Sequence, residues 1–341
     1  MRLSCNIVFL LAVAVFAAPG KAQRAGGAAQ QAPPDYSAPA NAPYTASNVT
    51  VPTPMGHTLA GTLTLPRGAA ATRRVGALVT ITGSGAQERD SRLTGVRGYQ
   101  PFRQYADSLA RRGIAVLRMD DRGTGASKGT HRGSTSADFA EDIRAGLAYL
   151  RTRPEIDTTR LGLIGHSEGA IIANLVAARE PSLRAIVLLA GVARPAREVL
   201  VFQLKNLINH NASFSQTQKD SAITAIPQTI EGMMARDPWM AFFLTHDPAA
   251  TSRQVKTPSV LIMTGANDQQ ADPKQVPDWA SAFLAAGNTD VTAHVIPGLN
   301  HLFVPDPDGF PGNYAKLPPP VRVDPYVVGF VVDWLAYRFR K

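Results

Sequence analysis

A serine hydroxyl becomes a useful nucleophile when the backbone presents it to a cleft and a neighbouring base takes its proton. Gly165-His166-Ser167-Glu168-Gly169 has the residues for the first requirement. It stands between the apolar run Leu161–Ile164 and a second one, "IIANLVAA", beginning at Ile171. That is where a strand would end and a helix begin. In this frame G-x-S-x-G reads as a nucleophile elbow, a sharp turn holding the serine in a strained backbone conformation. Side chains two positions to either side would crowd the turn, which is why glycines stand there. The bare pattern occurs often by chance, so the strand–helix frame carries the reading.

The base and its orienting carboxylate should follow in the order serine, acid, histidine, each after a later strand. "VLIMTGANDQQADP" supplies Asp268 just past Gly265, with Asp272 as second choice; the preceding strand ends "LLAGVA", without an acid. "HVIPGLNHLF" supplies His301, while His294 lies inside the strand itself and reads as an ordinary strand residue. His57 falls in an N-terminal hairpin and His210 and His246 in a helical block. His166 should turn away from the cleft if Ser167 turns into it, and so reads as packing. His131 follows a cleft-facing loop and is a weaker candidate for substrate contact.

Acyl transfer also needs donors for the developing oxyanion. One is the backbone N–H of Glu168, directly after the nucleophile. The other is expected from "TGSGAQERD" (82–90), the loop after the third strand, and is assigned to Ser84 with Gly85 as the alternative.

The elements that must position these groups follow from hydrophobic periodicity. "VTVPT" and "HTLAGTLTLP" read as a hairpin around Met55-Gly56, and "GALVTITG" (76–83) as a strand buried on both faces. A helix (102–113), a strand (114–120) and a second helix (136–152), with Ser136 as its cap, come next. Strand and helix then alternate through 191 and again from 257 to the end of the chain. This alternation predicts an α/β fold: a mostly parallel central sheet with helices on both faces. Residues 192–256 interrupt it and read as an inserted helical cap, which leaves 48–191 and 257–341 as the core. In open α/β sheets ligands bind beyond the carboxyl ends of the strands, and each motif above falls at such an end. The cap is rich in Met, Phe and Trp. Met233, Trp239 and Phe243 are the expected substrate-binding residues, with Met234 and Phe242 beside them.

Composition narrows the classes. With 341 residues, 45% of them hydrophobic and 18% charged, the chain can bury a large core. The formal charge of +9 is scattered among acids, without a dense basic stripe, so no nucleic-acid partner is expected. Residues 1–22 carry Arg2, an apolar stretch from Ile7 to Ala18 and small residues at Gly20 and Ala22. This is the layout of a signal peptide cleaved after Ala22, giving a secreted or periplasmic protein. The apolar stretch is short for a membrane span, so no stable membrane insertion is expected. Cleavage would remove the single cysteine, Cys5, and with it thiol and disulfide chemistry. Residues 23–47, rich in Ala, Pro, Gly and Gln, read as a flexible leader. No H-E-x-x-H occurs, and "GTGASKG" lacks the spacing of a phosphate-binding loop; no metal or cofactor is expected.

From about Val49 to Lys341 the chain resembles the α/β-hydrolase superfamily. The closer likeness is to capped bacterial esterases and serine-aminopeptidase-like (S33-type) hydrolases. "TGSGAQERD", "DDRGTGASKG" (120–129), "GHSEG", "TGANDQQADP" and "LNHLF" carry it. The resemblance implies an esterase-type serine hydrolase with Ser167, Asp268 and His301 at the matching positions. It also implies that Asp121-Arg122-Gly123 is a structural turn. The first loop in such relatives commonly begins His-Gly; Thr82-Gly83 stands here, so any role of that histidine is missing. The expected function is a carboxylesterase for small to medium acyl esters. A serine peptidase or acyl-amide hydrolase is the alternative, with Glu168 or an acid of the cap gripping a substrate amine; for Glu168 a satisfied surface or cleft-edge carboxylate is the competing reading. A binding protein on the same scaffold, its triad unused, is the third reading.

Overall fold

A computed structural model describes residues 34–340. The expected signal peptide and the first part of the expected leader lie outside these residues.

The centre is an eight-stranded open sheet in the order β1-β2-β4-β3-β5-β6-β7-β8. β1 (Tyr44–Pro52) and β2 (Thr58–Pro66) form an antiparallel hairpin, and β2 runs antiparallel to β4 (Ala115–Met119). β3 (Val75–Ile81), β4, β5 (Ile156–His166), β6 (Ala185–Leu189), β7 (Ser259–Gly265) and β8 (Val291–Ile296) are mutually parallel.

Alternate residues of the central strands feed two separate cores, so these strands are largely apolar along their buried stretches. On one face Ala77, Val79, Leu163, Leu188 and Ile262 pack under α2 (Ser136–Thr152), α3 (Glu168–Ala177) and α9 (Val276–Ala285). On the other, Leu78, Val116, Ile164, Val187 and Leu261 pack under α1 (Pro101–Arg111) and α10 (Pro325–Arg340). Between β6 and β7 lie α4 (Ala196–His210), α5 (Gln216–Thr224), α6 (Ile226–Met234), α7 (Pro238–Thr245) and α8 (Pro248–Ser252). These helices share a core of their own, including Leu200, Leu204, Ile226, Ile230 and Met240, which meets the central sheet's layer of helices at Ile171 of α3.

Two expectations are corrected. The flexible leader does not extend to residue 47: β1 starts at Tyr44, paired with Pro66, and Tyr44 is buried with its hydroxyl on Asp107 at 2.7 Å. Composition missed this because an edge strand is held by backbone pairing with its neighbour. The cap of α2 is Thr135, not Ser136: Thr135 and Asp138 form a reciprocal capping box, and Ser136 becomes the first helical residue. That shift frees the Ser136 hydroxyl for another partner.

Candidate active site

Ser167 sits at the end of β5 with φ +58° and ψ −121°, a conformation that side-chain-bearing residues rarely adopt. Its N–H donates to the Leu189 carbonyl at 2.8 Å, locking the turn to β6. The flanking glycines have specific steric causes. A methyl carbon at Gly165 would lie 2.0 Å from the Gly169 carbonyl oxygen, and one at Gly169 would lie 2.2 Å from that of Ile81. The first turn of α3 is thereby drawn against β3. Its leading N–H, that of Glu168, stands at the positive end of the helix with no intrahelical acceptor.

Past β7, the chain turns so that Asp268 becomes a buried carboxylate with both oxygens hydrogen-bonded. Its Oδ1 accepts from the backbone N–H groups of Gln270 (2.7 Å) and Ala271 (2.8 Å), and its Oδ2 accepts from His301 Nδ1 (2.8 Å). These donors compensate for loss of water around the charge. With the proton on Nδ1, Nε2 of His301 is left as the acceptor, the tautomer a general base needs. The loop carrying His301 is folded around buried Asn300, whose side chain accepts from the N–H groups of Leu302 and Val304 and donates to Asp306.

His166 has more than a packing role. Its Nε2–H donates to the His301 carbonyl at 2.9 Å, across 135 residues of sequence. Burial, assisted by the nearby His301 ring, pushes its pKa down to about 3, so the imidazole is neutral and keeps this bond. The pairing across so long a separation had no signal in the sequence.

Ser167 and His301 border one cleft of about 530 Å³, together with Gly83, Ser84 and Glu168. Gly83 lies close against Ser167: a methyl carbon there would lie 3.2 Å from Ser167 Cβ. Ser84 faces the cleft. Gly85 turns away with φ +88° and borders instead a small cavity of about 30 Å³ on the other side of the loop. His131 borders that cavity too, stacked on Phe139 at 4.9 Å with its ring on the Gly85 backbone, so it is no part of the cleft. The loop is clamped from below by the "DDRG" turn. Asp121 accepts from the Thr82 hydroxyl and the Gln87 N–H, both at 2.8 Å, and Gln87 Nε2 donates to the Ser84 carbonyl at 3.1 Å. Arg89 grips Asp120 through Nε and a terminal nitrogen at 2.8 and 2.7 Å. Burial, with Glu168 and Asp120 nearby, pushes the Asp121 carboxyl up to about 8.

The remaining candidates are dispersed. Asp272 caps the short 3-10 helix 273–275 by accepting from the Lys274 N–H, and His294 rests edge-on against Phe330 of α10. Of the expected substrate-binding residues, Phe243 borders the cleft and the other two do not. Met233 is buried in the cap's own core. Trp239 stacks on Phe243 with centroids 5.1 Å apart and donates its indole N–H to Glu168 Oε1 at 2.7 Å. Helix α7, "PWMAFFLT", is apolar around most of its circumference, so periodicity could not say which face meets the cleft. The apolar wall comes instead from Ile171, Val192, Val199, Phe243 and Leu302, with Tyr314 beside them.

The Glu168 side chain has its own partners within the protein. Its carboxylate is buried, and Oε1 already accepts from the Ser136 hydroxyl (2.7 Å) and from Trp239. Burial pushes its pKa up, against the opposing effect of Ser136, Trp239 and the Ser84 hydroxyl. Among the described residues no three His, Cys, Asp or Glu side chains converge as a metal site, and no helix is long and apolar enough to cross a membrane.

A family model described as serine aminopeptidase, S33, matches residues 97–308. The uncharacterized protein PA2218 of Pseudomonas aeruginosa is 30% identical over 132 residues, 38% of this chain and 33% of that protein. The chain thus matches about a third of the length of this curated relative. The crystal structure of PA2218 superposes with a TM-score of 0.56 at 17% identity, over 90% of this chain and 99% of that one. Esterase Pf2001 of Pyrococcus furiosus superposes with a TM-score of 0.60 at 15% identity, over 93% and 100% of the two chains. For Porphyromonas gingivalis dipeptidyl peptidase 4 the TM-score is 0.56 at 16% identity, over 86% of this chain but only 35% of that one. At such identities these superpositions speak for the fold.

Proposed function

The chain belongs to the S33 serine aminopeptidase family of α/β hydrolases, and on that premise we propose that it is a serine carboxylesterase acting on small to medium acyl esters. One observation carries the reading: a strained Ser167 borders the same cleft as His301, whose Nδ1 is held by buried Asp268. In the proposed reaction His301 Nε2 takes the proton of Ser167 as Oγ attacks the acyl carbon, and Asp268 stabilises the imidazolium. The N–H groups of Glu168 and Ser84 receive the oxyanion. The alcohol leaves with the proton held by His301, and water, activated by the same nitrogen, releases the acid.

The ester preference rests on the apolar wall of Val192, Val199, Phe243 and Leu302, which suits an acyl chain. The family description and the dipeptidyl peptidase 4 likeness keep the peptidase as second reading. A carboxylate for the substrate's amine is what it would need, and Glu168 is engaged with Ser136 and Trp239 instead. Export through cleavage after Ala22 belongs to the same proposal, and N-terminal sequencing of the secreted protein, expected to begin at Gln23, tests it.

Hydrolysis of p-nitrophenyl butyrate should show a burst of p-nitrophenol that disappears in Ser167→Ala. A wild-type protein inert on a panel of acyl esters overturns the esterase reading. Turnover of aminoacyl-naphthylamides well above that of esters replaces it with the peptidase.

A further inference from the structure

One carboxylate joins three parts of the molecule that acyl transfer does not by itself require to touch. Glu168 is the first residue of α3, immediately after the nucleophile, and it is buried. Its Oε1 accepts from the hydroxyl of Ser136, the first residue of α2, at 2.7 Å. The same oxygen accepts from the indole N–H of Trp239, on cap helix α7, at 2.7 Å. From the loop after β3, the Ser84 hydroxyl also faces this carboxylate and favours its anion.

The arrangement has a consequence for the oxyanion site. Glu168 and Ser84 are the residues whose backbone N–H groups are assigned to the oxyanion. The side chain of Ser84 thus acts on that of Glu168, and both residues border the cleft beside Ser167. Ser136 is available because Thr135 took over the capping of α2. Trp239 adds a bond whose donor belongs to the cap, and its ring is stacked on Phe243, which borders the cleft.

Building on the hydrolase reading above, we propose that the Glu168 carboxylate is a positioning residue: it sets the spacing of the two oxyanion donors and makes that spacing depend on seating of cap helix α7. Donors preorganised at the oxyanion stabilise the transition state, and small displacements of such groups are costly. A cap that rides up would break the Trp239 bond, loosen Glu168 and so slow the acylation step. A filled cleft that holds Phe243 and Trp239 in place would do the reverse. The cap on this account influences rate through the oxyanion site as well as by walling the cleft.

The test uses the full chain and a fluorophosphonate probe, which any competent serine hydrolase attacks whatever its natural substrate. The Ser167 oxygen displaces fluoride from phosphorus, His301 takes the proton, and the phosphoryl oxygen occupies the oxyanion site. The maximal labelling rate and the half-saturating probe concentration are measured separately for wild type, E168A, W239F, S84A and the E168A/W239F pair. The E168A change removes the acceptor shared by Ser136 and Trp239, whereas a glutamine could keep both bonds through its amide oxygen. E168A is expected to lower the maximal rate about 10- to 100-fold, with half-saturation nearly unchanged. W239F and S84A should each lower it about 3- to 10-fold, since each removes one tie and leaves the backbone N–H groups in place. The E168A/W239F pair should be no slower than E168A alone, because Trp239 acts through Glu168.

Variants within twofold of wild type overturn the proposal. So does a double variant in which the two losses multiply, which would mean that Trp239 acts by packing alone, or a change confined to half-saturation, which would make Glu168 a ligand contact. If E168A does not fold by circular dichroism, W239F and S84A carry the test, and unchanged maximal rates in both overturn it. A wild type that takes no label at Ser167 refutes the serine-hydrolase reading and the positioning role together. A labelled wild type with unaffected variants refutes the positioning role alone.

Discussion

Asp268→Asn offers a test in which activity and stability should separate. Asp268 Oδ1 accepts two backbone N–H bonds, from Gln270 at 2.7 Å and Ala271 at 2.8 Å, while Oδ2 receives only His301 Nδ1. An asparagine must place its carbonyl oxygen where the two backbone donors point, because an amide NH2 there would face two N–H groups. Its NH2 then takes the Oδ2 position and points at His301 Nδ1. That nitrogen can meet a donor only as an acceptor, so the imidazole proton moves to Nε2, the nitrogen that should receive the proton of Ser167. The base is inverted while its position is kept. A wrong-tautomer change of this kind costs about 10⁴ in kcat, or roughly 5.5 kcal/mol in the barrier. The turn at 268–271 keeps both backbone bonds, so thermal melting should shift by no more than a few degrees. Asp268→Ala differs: it leaves two buried N–H groups unpaired at roughly 1–3 kcal/mol each, so both melting temperature and activity should fall. The assay is kcat on p-nitrophenyl butyrate beside a melting curve for each variant. An Asp268→Asn enzyme that keeps more than a tenth of the wild-type kcat would refute the tautomer argument.

Four further outcomes follow from other contacts. His166→Phe leaves the His301 carbonyl without its donor, so kcat should drop about 10-fold and stability by roughly 1–3 kcal/mol; a variant as active and as stable as wild type would show that this bond positions nothing. Asp121 has its folded-state pKa raised to about 8 from 3.8, so its protonated form contributes stability that is complete below 3.8 and is lost as pH rises towards 8. An Asp121→Asn variant lacks that titration, and its stability relative to wild type should improve by about 1.4 kcal/mol per pH unit across the window; urea unfolding at pH 5 and pH 8 reads the difference, and a gap that stays constant contradicts the assignment. Phe243→Ala should lower kcat/KM for butyrate about 3- to 10-fold and favour longer acyl chains. Met233→Ala should leave KM alone and cost about 2–5 kcal/mol of stability, since Met233 lies in the cap's core; equal effects of the two on KM would mean that the cleft wall is drawn wrongly.

The sequence by itself determined what depends on neighbours along the chain. The glycines around Ser167 reflect a local steric demand, and the mostly apolar runs of β3, β6, β7 and the second half of β5 reflect strands covered on both faces. Strand ends marked by glycine therefore singled out Asp268 and His301 before any contact between them was visible. Other features depended on approach from far away in sequence, and no local pattern encodes them. Residues 44–47 look like leader until β2 pairs with them. Ser136 looks like a cap until Thr135 takes that place. Helix α7 is apolar enough to bury any side, and only its packing decides that Phe243 meets the cleft while Trp239 reaches Glu168. The bond from His166 to the His301 carbonyl is of the same kind. Backbone strain and burial period are short-range properties and can be read from residue types, whereas the partner of a buried polar group is chosen by whichever distant element folds against it.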